Sequence, residues 1–378
     1  MEVIARVRSE DPAKLLSQLL DSPLDLDLWE IRPDSLVLRA DESVTDQLGQ
    51  LGYAVELLEE TTAHLATFAT EAALETYHSA AALEQDLRVL AEQEPEIAEL
   101  REIGRSIENR PIWALRLGER RGSTRKVLFV GCHHAREWIS VEVPYLLAEH
   151  LVQSAHQSPV REWLSTGEIW ITPMINPDGH EFTRRGPQER LWRKNRRPNP
   201  NGTLGVDPNR NYGYLWGTRN DTRSSHNPAH DTYVGPRAFS EPETQAVRDL
   251  IGCELFRGVL SYHSYSQLIL HPWGNTTEPI RDPADRERLE GFGERMEALI
   301  HGVHGQSYRS QAASALYPTA GDTVDWAYGV YAIPAYTIEL RPDEFSLGGF
   351  ILPPEEIRPT WEENQPAARE FIQWVLMD

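Results

Sequence analysis

The feature that most constrains this chain is Val127-Leu128-Phe129-Val130, four apolar residues in unbroken succession, closed by Gly131. A strand with one wet face alternates apolar and polar residues, whereas a short continuous apolar run fits a strand covered on both sides. From Lys126 onward, strands and helices alternate. Ile169 to Met174, Val259 to His263 and Tyr336 to Leu340 read as further strands, and Glu142 to Leu151 as a helix in which Pro144 is tolerable if it falls in the first turn. That order predicts an α/β layer fold.

The first sixty residues read differently, as β-α-β-β-α-β. Val3 to Val7 alternates like a strand, and Asp11-Pro12 opens a helix through Leu20 with Asp as N-cap. Leu26 to Ile31 and Leu36 to Arg39 flank a turn at Pro33-Asp34. Ser43 caps a second helix ending near Gly49 to Gly52, and Tyr53 to Leu58 is a last strand. The order suggests a small α+β, ferredoxin-like unit. A helical stretch is expected from Glu59 to Leu100, interrupted at Pro95, and long surface loops from 186 to 237, where Arg, Asn, Gly and Pro are dense.

Composition narrows the function. The 378 residues carry a net charge of −21, about half of it before residue 76, which speaks against sequence-independent nucleic-acid binding. No apolar run is long enough to span a bilayer. Two cysteines, Cys132 and Cys253, make no disulfide framework and read as near-core thiols. The first residues lack the apolar core of a signal peptide, so the chain as it stands reads as cytoplasmic, or as secreted if a signal has been removed.

The chemistry gathers at strand ends. Gly131-Cys132-His133-His134-Ala135-Arg136-Glu137 follows the buried strand directly, and open α/β sheets build their sites there. His134 and Glu137, three apart, could meet one metal, although a capping Glu at a helix start would look the same. His263, at the end of another apolar strand, is either a satisfied core histidine or the third ligand that would complete the His₂Glu set of a catalytic zinc, with one position left open. Glu339 lies inside an apolar strand, where an unpaired carboxylate is costly, so it is either functional or paired with Arg341 or another Arg. Asn209-Arg210 is either an Asx-rich turn or a carboxylate clamp.

Taken together, these residues resemble the zinc metallocarboxypeptidases of the carboxypeptidase A/B subfamily. The likeness runs through His-x-x-Glu at 134–137, Asn176-Pro177-Asp178-Gly179, Trp192-Arg193-Lys194, Asp207-x-Asn209-Arg210-Asn211, His263-Ser264-Tyr265, Tyr317, Asp325-Trp326 and Glu339-Leu340-Arg341. It implies a mixed, mostly parallel central sheet with helices on both faces, one Zn²⁺, and a monomeric exopeptidase acting on peptide or protein C-termini. His134, Glu137 and His263 would hold the zinc, and Asp207 would orient His134. Glu339 would be the general base and Arg193 the electrophile at the scissile carbonyl. Asn209 and Arg210 would clamp the substrate carboxylate, Tyr317 would close over it, and Arg136, Ser264 and Tyr265 would line the next subsite inward. The resemblance also implies cis peptide bonds after Ser264, Pro272 and Arg341. A small-molecule amide hydrolase and a non-catalytic peptide binder of the same fold are the competing readings.

The resemblance further divides the chain into a pro-domain-like unit (1–62), a connecting helix (63–76) and a catalytic domain (77–378). No Lys or Arg lies between Ala40 and Leu87, so tryptic release is not available there. The full chain is expected to be active without proteolysis, or to need a protease that does not require basic residues. Leu270, Val324 and Thr337 suggest an apolar specificity pocket for aromatic or large aliphatic ends. Asp322 either faces that pocket, admitting Lys or Arg, or serves as a turn residue.

Overall fold

Two sheets organise the chain. The structure, a computed structural model, describes residues 1–377 apart from 21, 23, 25, 120–121 and 219–223. In the first sheet β1 (Glu2–Arg8), β2 (Leu26–Arg32), β3 (Ser35–Asp41) and β4 (Ala54–Glu60) stand in the antiparallel order β2-β3-β1-β4. Asp11 caps the helix Pro12–Leu20 as its sequence suggests, accepting the Lys14 N–H at 2.9 Å. The helix Glu42–Gln50 is capped by Asp41 rather than Ser43: Asp41 ends β3 with the extended backbone an N-cap needs, and its carboxylate accepts the Ser43 N–H at 2.9 Å.

The stretch from Glu59 to Leu100 is not one interrupted helix. Glu59 and Glu60 finish β4, and the helices Thr61–Phe68, Glu71–Thr76 and Ala80–Gln93 follow. The chain then becomes β5 (Ala98–Arg105), antiparallel to β6 (Pro111–Leu117). As the edge strand of the larger sheet, β5 carries Glu and Arg on its open side, and these imitate helical composition.

The larger sheet adds β7 (Lys126–Gly131), β8 (Glu168–Thr172), β9 (Gly258–Ser264), β10 (Leu268–His271), β11 (Arg309–Ala312) and β12 (Ala335–Leu340), in the order β11-β10-β12-β9-β7-β8-β6-β5. The strands β8, β7, β9 and β12 run parallel, and the outer pairs are mixed. The apolar run in β7 divides as a doubly covered strand should. Val127 and Phe129 join the core under helices Ile139–Gln153 and Ile357–Met377, while Leu128 and Val130 join that under Pro242–Glu254 and Thr323–Tyr331.

The end of β7 and the long loops position the strand-end histidines and carboxylates. Helix Ile139–Gln153 starts three residues earlier than expected, so Pro144 lies in its second turn and leaves the Ser140 carbonyl without its helical donor. That oxygen sits 2.1 Å from where a Cβ on Gly131 would be, so only glycine lets β7 end this close to the helix. The 186–237 stretch is irregular as expected but not superficial. Arg193, Lys194, Asn195, Asp207, Asn209, Arg210 and Asn211 are all buried. Asn211 replaces a ladder there, its amide donating to the carbonyls of Val234 and Arg237 at 2.8 and 3.0 Å. Cys132 is buried, but Cys253 is exposed near a helix end, and both are free thiols. The bonds after Ser264, Pro272 and Arg341 are cis, as is Ser158-Pro159. Among the described residues, no helix is long and apolar enough to cross a membrane.

Candidate active site

Neighbours of β7 lead away on both sides, to β8 and to β9, and the crevice at such a reversal is where open sheets bind ligands. Strand register gathers the side chains. Glu339 of β12 stands opposite His263 of β9, and Tyr262 opposite Gly131, so three strand ends deliver their side chains to one place. Cys132, at φ +54, turns the chain out of β7 and brings His134 and Glu137 back over it.

Ligand atoms of His134, Glu137 and His263 all lie within 4.8 Å of one another. His134 Nδ1 is 2.7 Å from Glu137 Oε1 and 3.2 Å from His263 Nδ1, which is itself 3.0 Å from Glu137 Oε2. His134 Nε2 lies 3.1 Å from Asp207 Oδ1, a contact that orients the ring so that Nδ1 faces Glu137 and His263. Burial would raise the Glu137 carboxyl, yet the two histidines hold it well below the usual range, so it is ionised. Two imidazole nitrogens converging beside an ionised carboxylate fit Zn²⁺ with one coordination position open.

Around this centre, Arg193 Nε and Nη2 donate to Asp207 Oδ2 at 3.0 and 2.8 Å, and Nη2 reaches within 2.7 Å of His134 Nε2. Burial pushes the Glu339 carboxyl up to about 7, Glu137 adding to the shift and His263 opposing it. Arg341 does not partner Glu339: its guanidinium pairs with Glu356 and Glu363 instead. The arginines that act on Glu339 are instead Arg193 and Arg210, both of which favour its ionised form.

The family profile of zinc carboxypeptidases matches residues 83–367. The chain belongs to this family. It is a metallocarboxypeptidase, a zinc hydrolase acting on peptide C-termini. Zinc carboxypeptidase A 1 of Anopheles gambiae is 37% identical over 76% of the chain and 65% of its own length, so the match spans just under two thirds of that relative. Human carboxypeptidase B is 30% identical over 99% of the chain and 93% of its own length. The crystal structure of carboxypeptidase A from Helicoverpa armigera superposes with a TM-score of 0.85 at 27% identity, covering 97% of this chain and 96% of that one.

In this carboxypeptidase the expected residues fall into two groups. His134, Arg136, Glu137, Arg193, Ser264, Tyr265, Tyr317 and Glu339 line one cavity. Asn209, Arg210, Leu270, Asp322, Val324 and Thr337 do not line it and lie on neighbouring elements. Leu270 pairs with Thr337 across β10 and β12, Thr323 binds Asn209, and Gly321 packs on the Arg210 carbonyl. Val324 is buried in the core beneath. Asp322 caps helix Thr323–Tyr331: Oδ1 accepts the Asp325 N–H at 2.8 Å, while Oδ2 is only 3.4 Å from the Thr319 hydroxyl, on the side of Gly274. Its turn role is real, and it occupies one oxygen.

Sequence reasoning missed the opposite wall, which comes from β2. A bulge between Leu28 and Glu30 interrupts the alternation: Leu26, Leu28 and Ile31 pack in the N-terminal core, and Leu28 to Ile31 together line the cavity, with Trp29 and Glu30 adjacent on it. Asp27 forms a two-point pair with Arg136, Oδ2 to Nη1 at 2.5 Å and Oδ1 to Nη2 at 3.0 Å, and accepts the Trp29 indole N–H at 2.9 Å. Glu30 accepts the Tyr265 hydroxyl at 3.3 Å. Phe350 receives Arg136 on its ring at 3.8 Å and the edges of Trp29 and Tyr265. What remains between these walls is a cavity of about 50 Å³.

Proposed function

We propose that the chain is a latent exopeptidase: residues 77–378 form the catalytic domain, 1–62 cover its site, and 63–76 connect them. The observation that carries this reading is the Asp27–Arg136 pair, in which the N-terminal unit occupies a residue assigned to substrate. In the freed enzyme, Glu339 takes the proton of the attacking water and returns it to the leaving amine. Arg193, steadied by Asp207, polarises the scissile carbonyl, while Asn209 and Arg210 hold the terminal carboxylate. Zinc, when bound at His134, Glu137 and His263, supplies Lewis acidity. Tyr317 packs against the N-terminal core, a contact that restrains its closing movement until the cover leaves. Because burial raises the Glu339 carboxyl and a base must be ionised, kcat/KM is expected to fall on the acid side. The charge of bound zinc moves this limb lower.

Buried Arg210 supports the exopeptidase reading, since a guanidinium forks onto a free terminal carboxylate in a way that a terminal amide does not allow. Arg210→Ala is expected to raise KM for C-terminally free substrates far more than for amidated ones; equal effects would remove Arg210 from the clamp. The set of Leu270, Val324 and Thr337 supports a preference for aromatic or large aliphatic ends. The weakly held Oδ2 of Asp322 supports secondary acceptance of Lys and Arg. Asp322→Gly is expected to abolish cleavage of basic ends while sparing aromatic ones, read from kcat/KM on a matched substrate pair. Unchanged cleavage of basic ends would contradict this role.

A further inference from the structure

His133 is fully buried directly beside a zinc ligand, yet neither the metal centre nor the cavity uses it. Its ring stacks on that of His263, centroids 5.2 Å apart and 11° from parallel. Its Nε2 lies 2.8 Å from the Thr323 hydroxyl and 2.9 Å from the Tyr212 phenol, and its Nδ1 is 3.5 Å from the Ser261 hydroxyl. We infer that His133 is a positioning residue for the carboxylate clamp, acting through Thr323 to fix which way the Asn209 amide faces.

Donors and acceptors along this chain of contacts fix the direction of each proton. Asn209 Oδ1 lies 3.0 Å from the Thr323 backbone nitrogen and 3.1 Å from its hydroxyl oxygen. A carbonyl oxygen can only accept, so the Thr323 hydroxyl commits its proton to Asn209. The hydroxyl oxygen must then find a donor elsewhere, and His133 Nε2–H is placed to serve it, sharing with Tyr212. With Oδ1 receiving two donors, the Asn209 NH₂ turns the other way, where Nδ2 stands 3.5 Å from His263 Nε2 at the edge of the metal centre. An amide that presents its N–H groups on the side of the metal centre is what a carboxylate requires, whereas a flipped amide would set oxygen against oxygen. An apolar residue at 133 would take one partner from both the Thr323 hydroxyl and the Tyr212 phenol, leaving those two hydroxyls to each other and the Thr323 proton free to turn from Asn209.

This inference rests on the reading of Asn209 as part of the clamp, and the test separates the two. His133→Leu, Thr323→Val, their combination, His133→Gln, Thr323→Ser and Asn209→Ala are each made in the full chain and activated alike. A blocked dipeptide with a free carboxylate is the substrate. His133→Leu and Thr323→Val should each raise KM about tenfold, the scale of one charge-assisted hydrogen bond, with kcat within about twofold and zinc content unchanged. The combined variant should be no worse than either alone, and His133→Gln and Thr323→Ser should recover most of the loss. If His133→Leu fails to fold or to hold zinc, Thr323→Val decides alone. An unchanged KM in Thr323→Val, or additive losses in the combination, would overturn the inference while a high KM in Asn209→Ala left the clamp standing. An unchanged KM in Asn209→Ala would overturn the clamp itself.

Discussion

Replacing Glu339 by Gln should leave zinc content unaltered and reduce peptide hydrolysis at least about a hundredfold, the lower end of what a positioned general base contributes. The amide keeps the volume of the carboxylate and its place opposite His263, but it cannot take a proton. Since Arg341 is engaged by Glu356 and Glu363, the substitution breaks no ion pair with Arg341, and stability should change little. Zinc analysis, thermal unfolding and turnover on one preparation separate chemistry from folding. A Glu339→Gln enzyme with full activity would remove the general base from the proposed mechanism.

The second large effect concerns the cover. Asp27→Asn keeps the shape of the side chain but leaves Arg136 buried without its counter-charge, and breaking one side of such a pair costs about 3–5 kcal/mol. That is enough to shift the docking of the N-terminal unit by two orders of magnitude or more. The uncut Asp27→Asn chain is therefore expected to hydrolyse substrate at a rate the uncut parent reaches only after cleavage. Trypsin should not activate the parent through the connecting segment, which has no Lys or Arg, whereas a glutamyl endopeptidase should, at exposed Glu71 or Glu75. Acid should not substitute for cleavage near neutrality. Burial would raise Asp27, but Arg136 and Arg39 hold it well below the ordinary carboxylate range. Its contribution is thus present above the unfolded value of about 3.9 and lost only as pH falls further toward the depressed one. An Asp27→Asn chain as silent as the parent until cut would show that the pair does not hold the cover down.

Glu339 and Asp27 also mark how far the sequence could be read. Both are carboxylates inside apolar strands, and both bear on the site. Glu339 was legible because its neighbours carry a familiar motif. Asp27 and Glu30 gave the same physical signal in Leu26–Arg32 without one, and their partners, Arg136, Tyr265 and Phe345, lie more than a hundred residues away. No local pattern predicts a contact of that span. The bulge that sets Trp29 and Glu30 adjacent on the site is likewise a property of pairing with β3. The doubly buried strand was plain from composition because burial on both faces leaves no room for alternation. The edge strand β5 was hidden by its charged open side. His133 could be noticed but not assigned, since its role lies in a chain of protons through Thr323, 190 residues away.

The most direct test uses two blocked dipeptides, identical except that one ends in a carboxylate and the other in an amide, given to the zinc-loaded enzyme after cleavage in the connecting segment. The account predicts hydrolysis of the free acid, loss of that activity on chelation and its return with zinc, and a kcat/KM for the amide lower by at least about a hundredfold. Equal hydrolysis of both substrates, or activity that survives complete removal of the metal, would contradict it.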